Sequence, residues 1–168
     1  LYAYAVLLLA AIIVLNAARS LLGWALRTED FGTSSLSQAV LWGGVWAFHW
    51  VQEQREGQPS PGARTLRRWY LYIVSVYALI LLATGVNGVL NVLFLRVYDG
   101  LIEGAGSLLP GPSLWSEGMR ESLASTLLGG AWWVLHWRFF AHGDRESTLR
   151  QVYLYLFAFL IGAIATLA

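Results

Sequence analysis

From Trp69 to Leu95 the chain runs 27 residues without a charged side chain, and Gln151 to Ala168 adds 18 more. An α-helix needs about 20 mostly apolar residues to cross ~30 Å of hydrocarbon. Leu1 to Leu26 carries one charge, Arg19, and two shorter stretches, about 34–52 and 120–141, are just long enough to span. Hydrophobic residues make up 57% of the 168 and charged residues 12%, against roughly 25% charged in an average soluble domain. A soluble domain of this size could not bury five such segments. The chain therefore predicts an all-α, polytopic transmembrane bundle with spans at about 1–26, 34–52, 69–95, 120–141 and 151–168.

The spans are not independent of one another. Gly43-Gly44-Val45-Trp46-Ala47-Phe48-His49-Trp50 returns as Gly130-Ala131-Trp132-Trp133-Val134-Leu135-His136-Trp137. A Tyr-x-Tyr opening appears three times, at Tyr2/Tyr4, Tyr70/Tyr72 and Tyr153/Tyr155. The last two follow Thr65-Leu66-Arg67 and Thr148-Leu149-Arg150. Such self-similarity reads as tandem helix pairs. The first pair is 1–56, followed by a Pro/Gly linker, 57–64. The second is 65–141, with a long loop at 97–118, and 142–168 begins a third unit. Two-helix units return the chain to one side, so successive pairs should be parallel, related by an axis along the membrane normal. The apolar run is already under way at Leu1, which reads as a processed or partial chain. A cleaved signal peptide ending near Ala17-Ala18 is the competing reading of residues 1–26, but Tyr2/Tyr4 puts this segment in register with the later spans.

Arginine supplies all 11 basic residues, and its distribution sets the expected orientation. Arg55, Arg64, Arg67, Arg68, Arg138, Arg145 and Arg150 follow spans two and four, whereas Arg27, Arg96 and Arg120 lie opposite. Seven against three places segment 53–68 in the cytoplasm and loop 97–118 outside. Thr65 and Thr148 stand where helix N-caps are expected. A short surface-lying helix before the Pro110-Gly111-Pro112 turn is one reading of the long loop, and a plain connection is the other.

Three constellations qualify as candidate sites. His49 and His136 occupy equivalent places near the cytoplasmic ends of even-numbered spans. Two imidazoles at equal depth, flanked by Trp46/Trp50 and Trp133/Trp137 at i, i+4, suit a haem or a chlorophyll-type pigment. The preferred reading is interfacial anchoring by Trp and His, with Gly43/Gly44 and Gly130/Ala131 as close helix-contact positions. A polar stripe is the second: Asn16, Arg19, Ser20 and Gly23 align with Thr84, Asn87, Gly88 and Asn91 in the outer half of the bilayer. Polar groups are costly in hydrocarbon, so the stripe reads as interhelical hydrogen bonding, or alternatively as the pocket of a small-solute carrier. The third is Arg67, Arg68 and Arg150 beside the Tyr-x-Tyr pairs, an ordinary headgroup anchor able to attract anionic lipid.

Absences narrow the classes. The chain has no Cys, which excludes disulfides, thiolate metal sites and covalent c-type haem. No Walker loop, zinc-protease motif, nucleophile elbow or dinucleotide fingerprint occurs. Only Glu121, at the edge of span four, is acidic within a span, which argues against proton coupling and intramembrane hydrolysis. No catalytic residue and no metal site beyond a tetrapyrrole centre is expected, and no nucleic-acid partner.

The segments Leu66-Arg67-Arg68-Trp69-Tyr70-Leu71-Tyr72 and Trp133-Val134-Leu135-His136-Trp137-Arg138 resemble a family of bacterial multi-pass membrane domains of unknown function. Its members are built of duplicated helix pairs that begin Arg-rich Tyr-x-Tyr and end Trp-x-x-His-Trp-Arg. The first copy departs at its end, reading His49-Trp50-Val51-Gln52 with Arg55 delayed. The resemblance implies the bacterial cytoplasmic membrane and brings no activity. The expectation is a non-catalytic structural or accessory subunit packing on lipids and other membrane subunits. The alternatives are a pigment-binding subunit of an electron-transfer or photosynthetic complex, and a small-solute carrier.

Overall fold

The computed structural model describes residues 2–55, 60–102, 113–140 and 148–167. These form five α-helices: α1 (Tyr2–Ala25), α2 (Thr33–Arg55), α3 (Pro61–Ile102), α4 (Glu117–Val134) and α5 (Thr148–Leu167). A π-helical segment, Leu135–Phe140, prolongs α4. The expected all-α architecture is present, and the described residues contain no strand. Among them, two helices are long and apolar enough to cross a membrane: α1, and α3 over Pro61–Leu101. α2 is diluted by Ser34, Ser35, Ser37 and Gln38 at one end and by Gln52, Glu53, Gln54 and Arg55 at the other. α4 carries Glu117, Arg120 and Glu121 in its first turns.

Several boundaries differ from those expected. α3 starts at Pro61, inside the expected linker 57–64, and Thr65 is not its cap. Ser60 takes that role: its Oγ accepts the Ala63 N–H at 3.2 Å and its carbonyl accepts the Arg64 N–H at 3.0 Å. Pro61 then occupies the first helical position, where its missing N–H costs nothing. Thr65, one turn inside, donates its hydroxyl back to the Pro61 carbonyl. At its far end α3 continues through Arg96 and Asp99 to Ile102, so 97–102 are helix rather than loop. Residues 103–112, with the rest of the expected surface helix and the Pro-Gly-Pro turn, lie outside the described residues, as do linker positions 57–59. α4 begins at Glu117 because Ser116 caps it, accepting from Met119 N–H at 3.3 Å, with Glu117 placed favourably against the helix dipole.

α1 ends in a paired reverse bond: Thr28 N–H reaches the Gly23 carbonyl and Arg27 N–H reaches that of Trp24, each at 2.9 Å. This is the Schellman arrangement. It puts Arg27 at φ 60°, a left-handed conformation that glycine adopts without strain.

The helices run in alternating directions, as their contacts require. At one end Tyr4 of α1 donates to Glu53 of α2, Trp46 of α2 reaches Tyr70 of α3, and Trp133 of α4 reaches Tyr153 of α5. At the other end Arg120, near the start of α4, donates to the carbonyl of Leu26, just past α1. α1, α3 and α5 therefore point one way, α2 and α4 the other. Two apolar clusters occupy the first end: Tyr4, Leu7 and Ala11 with Tyr70, Leu71 and Val74, and Tyr72 and Leu79 with Tyr153.

Glycine brings α3 and α4 together, though not at the positions expected. A Cβ on Gly129 would lie 2.8 Å from the Ala78 carbonyl and 2.9 Å from Leu82 Cα. One on Gly85 would lie 2.8 Å from the Ser122 carbonyl. Backbone cannot yield as a side-chain tip can, so both positions exclude any larger residue. Gly130 meets only Leu82 Cδ1, at an ordinary 3.6 Å, and Gly43 and Gly44 meet nothing within 4 Å. One residue along a helix is ~100° of rotation, which separates the packed Gly129 from the open Gly130.

Candidate functional site

The two Trp-x-x-His-Trp segments make the same set of contacts. On α2, Trp46 and Trp50 stack at 5.6 Å with planes 5° apart; Trp133 and Trp137 stack at 6.4 Å, also at 5°. Trp46 Nε1 donates to the Tyr70 hydroxyl at 2.7 Å, and Trp133 Nε1 donates to that of Tyr153. Arg67 lies 5.7 Å above the Trp50 ring and Arg150 5.7 Å above Trp137, a cation–π distance. His49 meets Tyr2 edge-on at 6.0 Å and 61°, and His136 meets Tyr70 at 6.1 Å and 60°. Each histidine also turns Nδ1 onto the carbonyl four residues back, Val45 or Trp132, at 2.9 and 3.1 Å.

That last contact settles the protons. A carbonyl only accepts, so Nδ1 carries the hydrogen and Nε2 of His136 is an acceptor. Tyr70 O–H, 3.4 Å away, donates to it weakly while its oxygen accepts from Trp46. The result is a directed chain, Trp46 N–H to Tyr70 O–H to His136 to the Trp132 carbonyl, tying α2, α3 and α4 together. Tyr70 is its hub, 2% exposed, whereas Tyr2 is 74% exposed. His136 is fully buried and stacked on Trp132 at 5.4 Å.

The sequence reading placed Arg at the headgroups and the Tyr-x-Tyr pairs just inside as anchors; Tyr4, Tyr70, Tyr72 and Tyr153 are core residues, whereas Tyr2 and Tyr155 are exposed. Trp46, Trp50, Trp133 and Trp137 are half-buried, one face against a tyrosine. His49 and His136 contact different residues and are not brought together: one sits on Tyr2 and Phe48, the other between Tyr70 and Trp132. Tyr70 and Tyr153 as hydrogen-bond hubs were missed, although their invariant offset from Arg67 and Arg150 was visible.

The Asn, Arg and Thr members of the polar stripe face outward, whereas Gly23 is buried and Gly88 faces Ser122 of α4. Asn16, Arg19, Thr84, Asn87 and Asn91 are all exposed. Asn16 accepts from Tyr77 O–H at 3.1 Å, linking α1 to α3, and donates to the Ile12 carbonyl. Thr84 bonds back to the Ile80 and Leu81 carbonyls. An open depression of about 390 Å³ lies at the α1–α2 turn, lined by Trp24, Arg27, Thr28, Glu29, Asp30 and Phe31. Among the described residues no group of three or more His, Asp or Glu is placed to hold a metal ion.

Hydrogen bonds among Tyr, Trp and His side chains tie these helices to one another. The profile of a family described as a domain of unknown function, DUF5671, matches residues 72–168, more than half of the chain. The chain belongs to that family. The match takes in α3 from Tyr72, α4 and α5. No curated protein and no solved structure matches the chain.

Proposed function

We propose that the chain is a non-catalytic integral membrane protein of the bacterial cytoplasmic membrane, a structural or accessory subunit that packs on lipid and on partner helices. The observation that carries this reading is the duplicated bracket of Arg, Trp, Tyr and His. The same contacts recur at the same end of the bundle, Trp to Tyr and Arg to Trp across α2–α3 and α4–α5, and His to Tyr across α1–α2 and α3–α4, and they engage the side chains that would otherwise be reactive. The matched geometry supports tandem helix pairs. The apolar exterior supports a lipid surround: Leu9, Ile80, Leu93, Phe94, Leu127 and Phe159 are among many large exposed apolar residues, more than a soluble monomer tolerates in contiguous patches. In this reading all five helices span, α2 and α4 crossing because their polar residues gather at the ends. The bracketed end, carrying Arg55, Arg64, Arg67, Arg68, Arg138 and Arg150, faces the cytoplasm.

The second reading is a haem or chlorophyll-type pigment held by His49 and His136. The stacked tryptophans favour it. It requires His136 Nε2 to leave Tyr70, whereas His49 Nε2 has the freer position. The third, a small-solute carrier, draws on Arg19 and the outward polar stripe. One preparation tests the first two. Membranes are extracted with alkaline carbonate, and the purified protein is examined by visible absorption. Retention in the pellet with a featureless spectrum is expected. Release into the supernatant would overturn the membrane reading, and a Soret or chlorin band would replace the first reading with the second.

A further inference from the structure

α3 presents an exposed line of residues that includes two amides a lipid surround cannot satisfy. Ile73, Ile80, Thr84, Asn87 and Asn91 fall at helical spacing on one face, and all are exposed. Tyr77 lies on the same face, bonded to Asn16 of α1, and Arg19 stands one turn beyond Asn16. Thr84 closes its hydroxyl on its own helix, but Asn87 and Asn91 form no hydrogen bond among the described residues. Leu82 is midway between Arg68 and Arg96, the charges bounding the apolar stretch. At ~1.5 Å per residue, Asn87 lies about 8 Å and Asn91 about 14 Å outward of that midpoint. Both fall within the ~15 Å half-thickness of the hydrocarbon. A primary amide there needs both a donor and an acceptor, and acyl chains supply neither.

We propose that this face of α3 is a homodimer interface whose occupant is a second copy of the same chain. The inference rests on the membrane reading above. An amide is self-complementary, since its NH₂ donates and its carbonyl accepts. A second copy is inserted in the same orientation, so a twofold axis along the membrane normal brings Asn87 opposite Asn87 and Asn91 opposite Asn91 at equal depth. The contact is isologous and closes at two copies. A helix of unrelated sequence would have to match two amides at two depths, whereas a copy does so by symmetry. Arg19, beside the line, gains the partner's amide carbonyls as acceptors. The apolar members, Ile73 and Ile80, carry the same seam toward the bracketed end.

The absence of native Cys makes the test direct. Single variants Thr84→Cys, Asn87→Cys and Asn91→Cys are oxidised in native membranes. Leu93→Cys, on the opposite side of α3, and Val97→Cys, on its flank, are the exposed controls. The expected result is a cross-linked product of twice the chain mass at 84, 87 and 91, and none at 93 or 97. The double variant Asn87→Leu/Asn91→Leu, with helicity unchanged, should shift the detergent-solubilised mass from dimer to monomer. Monomer at every position, or equal cross-linking at 93 and 97, overturns the proposal. So does a product of another mass, which would assign the face to a different protein. Carbonate extraction of the same membranes separates the two failures: a chain that stays in the pellet yet never cross-links refutes the dimer alone.

Discussion

Tyr70 accepts from one helix and donates to another while sitting on a third. Its hydroxyl is the partner of Trp46 N–H at 2.7 Å and of His136 Nε2 at 3.4 Å. Removing that oxygen leaves a donor and an acceptor stranded in the core, so Tyr70→Phe should cost about 1–3 kcal/mol. Tyr2, which meets His49 with nearly the same ring geometry, is exposed at 74%, and Tyr2→Phe should fall within about 0.5 kcal/mol of the parent. Unfolding of the two variants in detergent, followed by circular dichroism, compares them directly. Equal losses would mean that the Tyr70 bonds add nothing to the fold. The residue types of this site were legible in the sequence, because Tyr-x-Tyr and Trp-x-x-His-Trp recur with fixed neighbours. Their bonding was not. An aromatic near a run of arginines reads as a headgroup anchor, and only the bonds from Tyr70 to Trp46 and His136 show that it faces inward.

At the scale of the helix, small residues decide how closely α3 and α4 approach. Gly129 and Gly85 face backbone across the contact, whereas Gly130 faces the end of a leucine side chain. Gly129→Leu should therefore destabilise by more than ~3 kcal/mol, above the usual range for overpacking, because a helix axis must move. Gly130→Leu should cost less than ~1 kcal/mol, since Leu82 Cδ1 can rotate away. Detergent melting temperatures of the two variants check the order, and a more damaging Gly130→Leu would misplace the helix contact. The sequence drew attention to the right turn of α4 and to the wrong glycine. Aligning Gly43-Gly44 with Gly130-Ala131 followed the tryptophans, and no periodic signal separates two adjacent glycines before the neighbouring helix is known. Helix ends were legible by the same measure. Ser60-Pro61 and Ser116-Glu117 hold local capping chemistry, but Thr65 looked equally suitable before the Ser60 bonds were known.

For the molecule as a whole, alternation of helix direction follows from contacts at its two ends, and charge then gives the orientation a physical basis. Arg55, Arg64, Arg67, Arg68, Arg138 and Arg150 gather at the end where α1, α3 and α5 begin, while Arg27, Arg96 and Arg120 lie at the other, beside Glu29, Asp30, Asp99, Glu117 and Glu121. Arginine near the cytoplasmic ends of spans resists translocation, and acidic residues weigh little against it. Gln54 and Leu114 are exposed markers of the two ends, and with no Cys elsewhere each can carry the only thiol. In intact cells, a membrane-impermeant maleimide should modify Leu114→Cys and leave Gln54→Cys unmodified until the membrane is opened. Labelling of Gln54→Cys alone would invert the molecule. Labelling of both in intact cells would place both ends outside, so that α3, which lies between the two positions, does not cross the bilayer.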